Sequence, residues 1–300
     1  MKHKNIFTAA RKNMIYAYAC LTPTIVFLGL VIGYTMFYLF RLSLSKVSYQ
    51  KGQMILGWNG LENFKTLLND ANFWGALKHT FHILSISVSL SIILGMILAV
   101  CLDKLIHGRN IFRTIILLPF MIAPALSTTM WRVLYDGQFG IINHVLKFLH
   151  IIKTSIPWLA TPKFAIYTII ICDIWEQTPF CMIILFAGLQ DTPDELYDAA
   201  RVDGASAFQI FSKITLPLIK GYILFVLLIR TLFTLRIFDY VYTLTSGGPA
   251  NSTEVLATYL YKVATKFVRF DYSATIAMAL LLLTIIALLI QFIIFKERKS

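Results

Sequence analysis

Charge is scarce in this sequence. Only 14% of its 300 residues are Asp, Glu, Lys or Arg, and acids are the rarer sign, 15 against 27. A soluble domain carries about a quarter charged residues, so a water-soluble globule is excluded. Cysteine is scarce as well. Cys20, Cys101, Cys172 and Cys181 all fall inside apolar runs and read as buried, inert thiols, with no disulfide framework or metal site. There is no GxxxxGK[ST] phosphate loop and no HExxH. The chain therefore brings no ATPase or metalloprotease chemistry of its own, and no catalytic or metal-binding set is expected. His79 and His82 have helical spacing but no third ligand nearby, and read as structural. No basic cluster is interleaved with aromatics, so the net charge of +12 reflects membrane flanks and not a nucleic-acid partner.

Long apolar runs are what the chain does have. Hydrophobic residues make up 58% of it and mean hydropathy is +0.72. A helix needs about 20 apolar residues to cross a bilayer. Six runs qualify, near 16–40, 80–102, 112–134, 164–188, 218–238 and 273–295. The first is too long for a signal-peptide core and shows no cleavage site, so it is read as a span. The predicted class is an all-α polytopic membrane protein with six transmembrane helices. Lys2, Lys4, Arg11 and Lys12, then Lys104, Arg109 and Arg113, then Lys296, Arg298 and Lys299 fall on one side. The positive-inside tendency makes that side cytoplasmic. Residues 1–75 read as an N-terminal tail, first span and external loop. Residues 76–295 read as the core domain, with a cytoplasmic loop at 189–217, and 296–300 as a cytoplasmic tail. Arg236 and Asp239, three apart, read as an ordinary ion pair.

That loop is the most acidic segment of the chain. Thr192-Pro193-Asp194-Glu195 predicts a helix start, with Thr192 as cap, Pro193 in the first helical position and Glu195 closing a capping box. The helix is expected to run to Asp203, with Gly204 ending it in a left-handed conformation. Ser206 is expected to cap a second helix leading to Pro217. Leu196, Ala199, Ala200 and Asp203 share one face. The two alanines leave it smooth, and Asp194, Glu195, Asp198 and Asp203 surround it with negative charge. Helices that lie on membranes carry Lys and Arg toward the lipid. An acidic one is read as a docking helix for a basic groove on another protein.

Asp198-Ala199-Ala200, three residues, Gly204, nine residues, then Ile214-Thr215-Leu216-Pro217 resembles the EAA motif of ABC-importer permeases, with Asp for the usual Glu. Other segments resemble the sugar-importer branch, in the manner of the larger membrane subunit of the maltose importer. They are Gly60-Leu61-Glu62-Asn63-Phe64, Phe112-Arg113 with Leu118-Pro119, Trp131, Gly140 with Asn143, Ala187-Gly188-Leu189-Gln190, Phe238-Asp239 and Leu244-Thr245-Ser246-Gly247-Gly248-Pro249. The resemblance implies the type I ABC-importer permease fold in a bacterial cytoplasmic membrane. It implies that Glu195, Asp198, Ala199, Ala200, Asp203, Gly204, Leu216 and Pro217 couple the chain to an ATPase. It further implies a heterodimer with a second permease, two ATP-binding subunits that use ATP and Mg, and an extracytoplasmic solute-binding protein. No cofactor is expected on this chain. The substrate implied is a sugar. An ABC permease for a peptide or polyamine and a self-contained secondary transporter are the alternatives, the latter weakened by the lack of a visible repeat.

Two spans carry polar stripes. Asp173, Glu176, Gln177 and Phe180 share one face of the fourth, and Arg230, Phe233, Thr234 and Ile237 one face of the fifth. Such groups in a membrane line a cavity or pair with one another. Sugars want hydrogen-bonding groups beside aromatic faces, and by resemblance these positions line a transmembrane sugar site. An ion pair of Arg230 with Asp173 or Glu176, locking the two spans, carries equal weight.

Overall fold

The computed structural model describes residues 3–297 except Gly52 and Ile106. Lys2, Arg298 and Lys299 lie outside the described residues, as do the side chains of Lys4, Arg11, Lys12 and Lys296. The described chain is helical but for one hairpin. Its elements run α1 (His3–Ser43), β1 (Ser45–Gln50), β2 (Gln53–Trp58), α2 (Glu62–Leu68), α3 (Ala71–Asp103), α4 (Arg109–Met121), α5 (Pro124–Leu134), α6 (Ile141–Phe148) and α7 (Pro162–Gln190). There follow α8 (Asp194–Val202), α9 (Ala207–Ile210), a π-turn (Phe211–Thr215), α10 (Leu216–Leu218), α11 (Lys220–Leu235), α12 (Asp239–Leu244), α13 (Leu256–Thr265) and α14 (Phe270–Glu297).

Four described helices are long and apolar enough to cross a membrane, and six spans result if each of two bent pairs counts as one. The expected third span, 112–134, is not a single rod. It breaks between α4 and α5 with a bend of 91°. Pro124 sits in the first turn of α5 and leaves the backbone before it extended, with Ala123 at ψ 135°. The chain bends by 66° at the start of the expected fifth span, where α10 meets α11 shortly after the π-turn.

The chain divides into two compact units, one made of residues up to Leu68 with Val263–Met278, the other of Asn69–Lys262 with the chain from Ala279 onward. In the first, β1 and β2 pair antiparallel with Ser45 opposite Trp58. Asn63 is buried and its amide donates to the carbonyls of Ser43 and Ser45, at 2.9 and 2.8 Å. Asp271 accepts from the Val47 N–H at 3.2 Å. These bonds satisfy backbone groups that the hairpin alone leaves open.

The second unit is built on α3 against α7. Asp70 caps α3 by accepting from the Asn72 N–H at 2.9 Å. Ser87, Ser91, Gly95 and Ala99 recur every fourth residue of α3 and are all buried. Small residues at that spacing let two helices approach closely where lipid removes any hydrophobic drive between them. A side-chain carbon on Gly95 would stand 2.6 Å from Cys181 Cβ and 2.9 Å from the Met182 nitrogen. Cys172 and Cys181 are buried as expected. Cys20 and Cys101 instead lie on the surface of this chain, because α1 and the outer side of α3 are left uncovered by it.

Candidate functional site

The loop between α7 and α11 forms the helix–glycine–helix expected. α8 ends at Val202, Gly204 takes φ +77°, and Ser206 begins α9 with a full capping box to Gln209. The start of α8 differs. Pro193 occupies the cap position with no side-chain bond, and the Thr192 hydroxyl donates back to the Gly188 carbonyl at 3.2 Å. The helix begins one residue later than expected, which leaves Thr192 outside the cap position, so the predicted capping box does not form there.

The proposed docking face is also redrawn. Ala200 is buried within the chain's own loop, where its carbonyl accepts from the Ala205 N–H at 2.9 Å. The face open to another protein holds Leu196, Ala199, Asp203 and Val202, the last 87% exposed. Glu195 and Asp198 stay exposed, Asp198 paired with Arg201 at 2.8 Å. Phe208 on α9 is 77% exposed. Leu216 and Pro217 stand in α10, at the bend before α11. The base of the loop is tied to the spans. Gln190 donates to Asp103 at 2.5 Å, Arg109 donates to the Asp103 carbonyl at 2.7 Å, and Tyr222 donates to Asp191 at 3.0 Å. Gly188 lies so close to the Tyr222 ring that a Cβ would meet it at 2.8 Å.

In the membrane-spanning part, Arg230 pairs with Asp173 at 2.6 Å. Both side chains are buried. Arg230 also donates to Ser87 at 3.1 Å and Ser91 at 3.4 Å, and Ser87 donates to Asp173. Four groups from α3, α7 and α11 thus bond to one another, which offsets most of the cost of burying the charges, while Arg230 Nε is left without a partner among the described residues. Glu176 is not the partner of Arg230. It accepts from Ser127 of α5, one helical turn farther along. Gln177 donates to the Tyr240 hydroxyl at 3.3 Å.

The two stripes do not face one another as a whole. Phe180 stacks on Phe120 of α4, with ring centres 5.6 Å apart, while Phe233 points away and is 56% exposed. Thr234 is buried with no hydrogen-bond partner for its hydroxyl. α11 stops at Leu235, so Ile237 leaves the helical face and packs in the apolar core with Ile83 and Val241. Arg236 and Asp239 are both exposed and form no ion pair among the described residues. The residues that sequence reasoning missed are Ser87, Ser91, Ser127 and Tyr240. The fourfold spacing of Ser87 and Ser91 was the available signal.

The fold is that of the type I importer permeases, and the chain is an integral inner-membrane transport component. Residues 91–299 match the family described as the binding-protein-dependent transport system inner membrane component, and the chain belongs to that family. It is 40% identical over 194 residues to the trehalose/maltose transport system permease protein MalF of Thermococcus litoralis, covering 65% of either chain. It is 35% identical over 253 residues to the lactose transport system permease protein LacF of Rhizobium radiobacter, covering 82% of this chain and 84% of that one. The structure resembles that of a bacterial ABC transporter involved in import of the acidic polysaccharide alginate. The TM-score is 0.83 at 22% identity, over 99% of this chain and 100% of that one. This membership sets aside the self-contained secondary transporter.

Proposed function

We propose that this chain is one of two unlike permease subunits of an ATP-driven importer for a di- or oligosaccharide or a sugar derivative. The observation that carries the coupling is the exposed face of α8. Leu196, Ala199 and Val202 stand open beside Asp194, Glu195, Asp198 and Asp203. An apolar patch with a mainly acidic rim, in which Asp198 is paired with Arg201, fits a cleft of opposite charge on a partner. Two ATP-binding subunits supply that cleft, and ATP with Mg is used there. The tie of Asp191 to Tyr222 and of Gln190 to Asp103 passes motion of the loop to α11 and α3. An extracytoplasmic binding protein delivers the sugar, and both termini lie in the cytoplasm with α8. The relatives named for trehalose/maltose and for lactose support a sugar as cargo.

The buried cluster of Arg230, Asp173, Ser87 and Ser91 fits a structural lock better than a sugar site, since its two charges are buried and paired with each other across the helices. Glu176, Gln177, Phe180 and Phe233 remain as candidates for the substrate path. The reading is tested with the whole transporter in vesicles. Sugar uptake should require ATP and the binding protein, and Val202→Asp should abolish it while leaving the chain inserted. Uptake driven by an ion gradient without ATP would overturn it.

A further inference from the structure

A second place on this chain has the makings of a carbohydrate contact. Phe233, Arg236, Asp239 and Tyr242 follow one another at intervals of three and are all exposed. The strip leads from the end of α11 to three aromatic rings. Phe238 and Tyr242 lie parallel, with centres 5.1 Å apart at 14°. Tyr261 of α13 stands across both, at 5.2 Å from Phe238 and 5.4 Å from Tyr242. The two tyrosine hydroxyls are hydrogen-bonded to one another. Tyr242 and Tyr261 are 40% and 36% exposed, so part of the aromatic surface remains open. Beside them Arg236 and Asp239 have no ionic partner among the described residues.

The corner is rigid. α13 is pinned where it begins: the Leu256 N–H donates to Thr80 at 3.0 Å, His79 meets the Glu254 carbonyl at 3.1 Å, and Tyr259 donates to Asp70. Lys262, next to Tyr261, pairs with the buried carboxylate of Glu254. Gly247 lies over that pair with φ +84°, and a Cβ there would stand 2.6 Å from the carboxylate and 2.9 Å from the ammonium. The Thr-Ser-Gly-Gly-Pro segment thus packs on the Glu254–Lys262 pair, one residue from Tyr261.

We infer that Phe238, Tyr242 and Tyr261, flanked by Arg236 and Asp239, form a sugar platform at the outer mouth of the path, which receives one pyranose ring before it moves inward. This rests on the sugar-importer reading and its orientation. The chemistry matches on each count. A pyranose presents an apolar C–H face that packs on an aromatic ring. Its hydroxyls take donors from Arg and acceptors from carboxylate. The ordering cost is already met, because the rings are held before the sugar arrives.

The test uses the complete transporter in cells and in vesicles. Uptake of radiolabelled trehalose, maltose, lactose and an alginate oligosaccharide is measured for wild type, Tyr242→Ala, Tyr261→Ala, Tyr261→Phe and Asp239→Asn. ATP hydrolysis is measured against binding-protein concentration. Tyr242→Ala and Tyr261→Ala should lower maximal uptake about three- to tenfold, and Tyr261→Phe should keep most of it. Asp239→Asn should change the ratio of rates between sugars. Half-saturation by the binding protein should not move. A uniform loss that tracks reduced assembly, or a shift confined to that half-saturation, overturns the platform. Unchanged rates and ratios in all four variants overturn it as well. No uptake of any of these sugars by wild type overturns the sugar reading and the platform together.

Discussion

Arg230 of α11 holds Asp173 of α7 at 2.6 Å, with both side chains closed off from the surface of the chain. Ser87 and Ser91 of α3 complete the cluster, so a single guanidinium joins three helices. Removing one member of a buried pair leaves the other uncompensated and costs about 3–5 kcal/mol. Asp173→Asn should therefore sharply lower the yield and melting temperature of the purified complex. The paired change Asp173→Leu with Arg230→Met should recover most of the loss. Glu176→Gln should be tolerated in assembly, because its partner is Ser127 and not the arginine. Equal instability in Asp173→Asn and Glu176→Gln would contradict this division.

Gly95 and Gly75 lie on the same helix but meet different surroundings. A Cβ at 95 collides with the backbone and side chain of residues 181–182, whereas nothing lies within 4 Å of one at 75. Gly95→Val should cost about 1–3 kcal/mol through overpacking and lower thermal stability by several degrees. Gly75→Ala should match or exceed wild type. Thermal unfolding of the detergent-solubilised complex measures both.

The loop variants separate folding from docking. Gly204→Pro cannot adopt the φ of +77° and should disorder the turn. Ala200→Asp puts a charge at a buried position and should do the same. Val202→Asp alters only the open face, and should lose the ATPase on co-purification without changing proteolysis of the loop. Wild-type capture of the ATPase by all three variants would remove α8 as the contact.

Orientation is checked with single cysteines in a background lacking the native four. Positions 139 and 251 are exposed and should react with an impermeant thiol reagent in intact cells. Position 198 should react only after the cells are opened. The reverse pattern inverts the topology.

How much of this could be read from the sequence depends on the range of the interaction. The apolar runs and the turn chemistry of Gly204 and Ser206 are local, and both were legible. The break at Ile122–Ala123 was hidden because its two halves are equally apolar, and only Pro124 hints at it. The fate of Thr192 turned on one residue, since the cap role passes to Pro193. The polar stripes were visible as stripes. Which member faced which depended on neighbours on α3 and α5, far away in the chain, and on α11 ending before Ile237. The docking face misplaced Ala200 for the same reason, since helical spacing shows which residues share a side but not which side the rest of the loop covers.

The close seat of α3 on α7 at Gly95 has a mechanical consequence. Two helices whose backbones meet at that distance cannot slide without first lifting apart, so they behave as one strut. Bending in this unit is then left to the places where its rods are already broken, the elbow before Pro124 and the joint at Ile219. The loop that carries α8 ends on the second of these joints, so a push on the loop acts on a hinge and not on a beam.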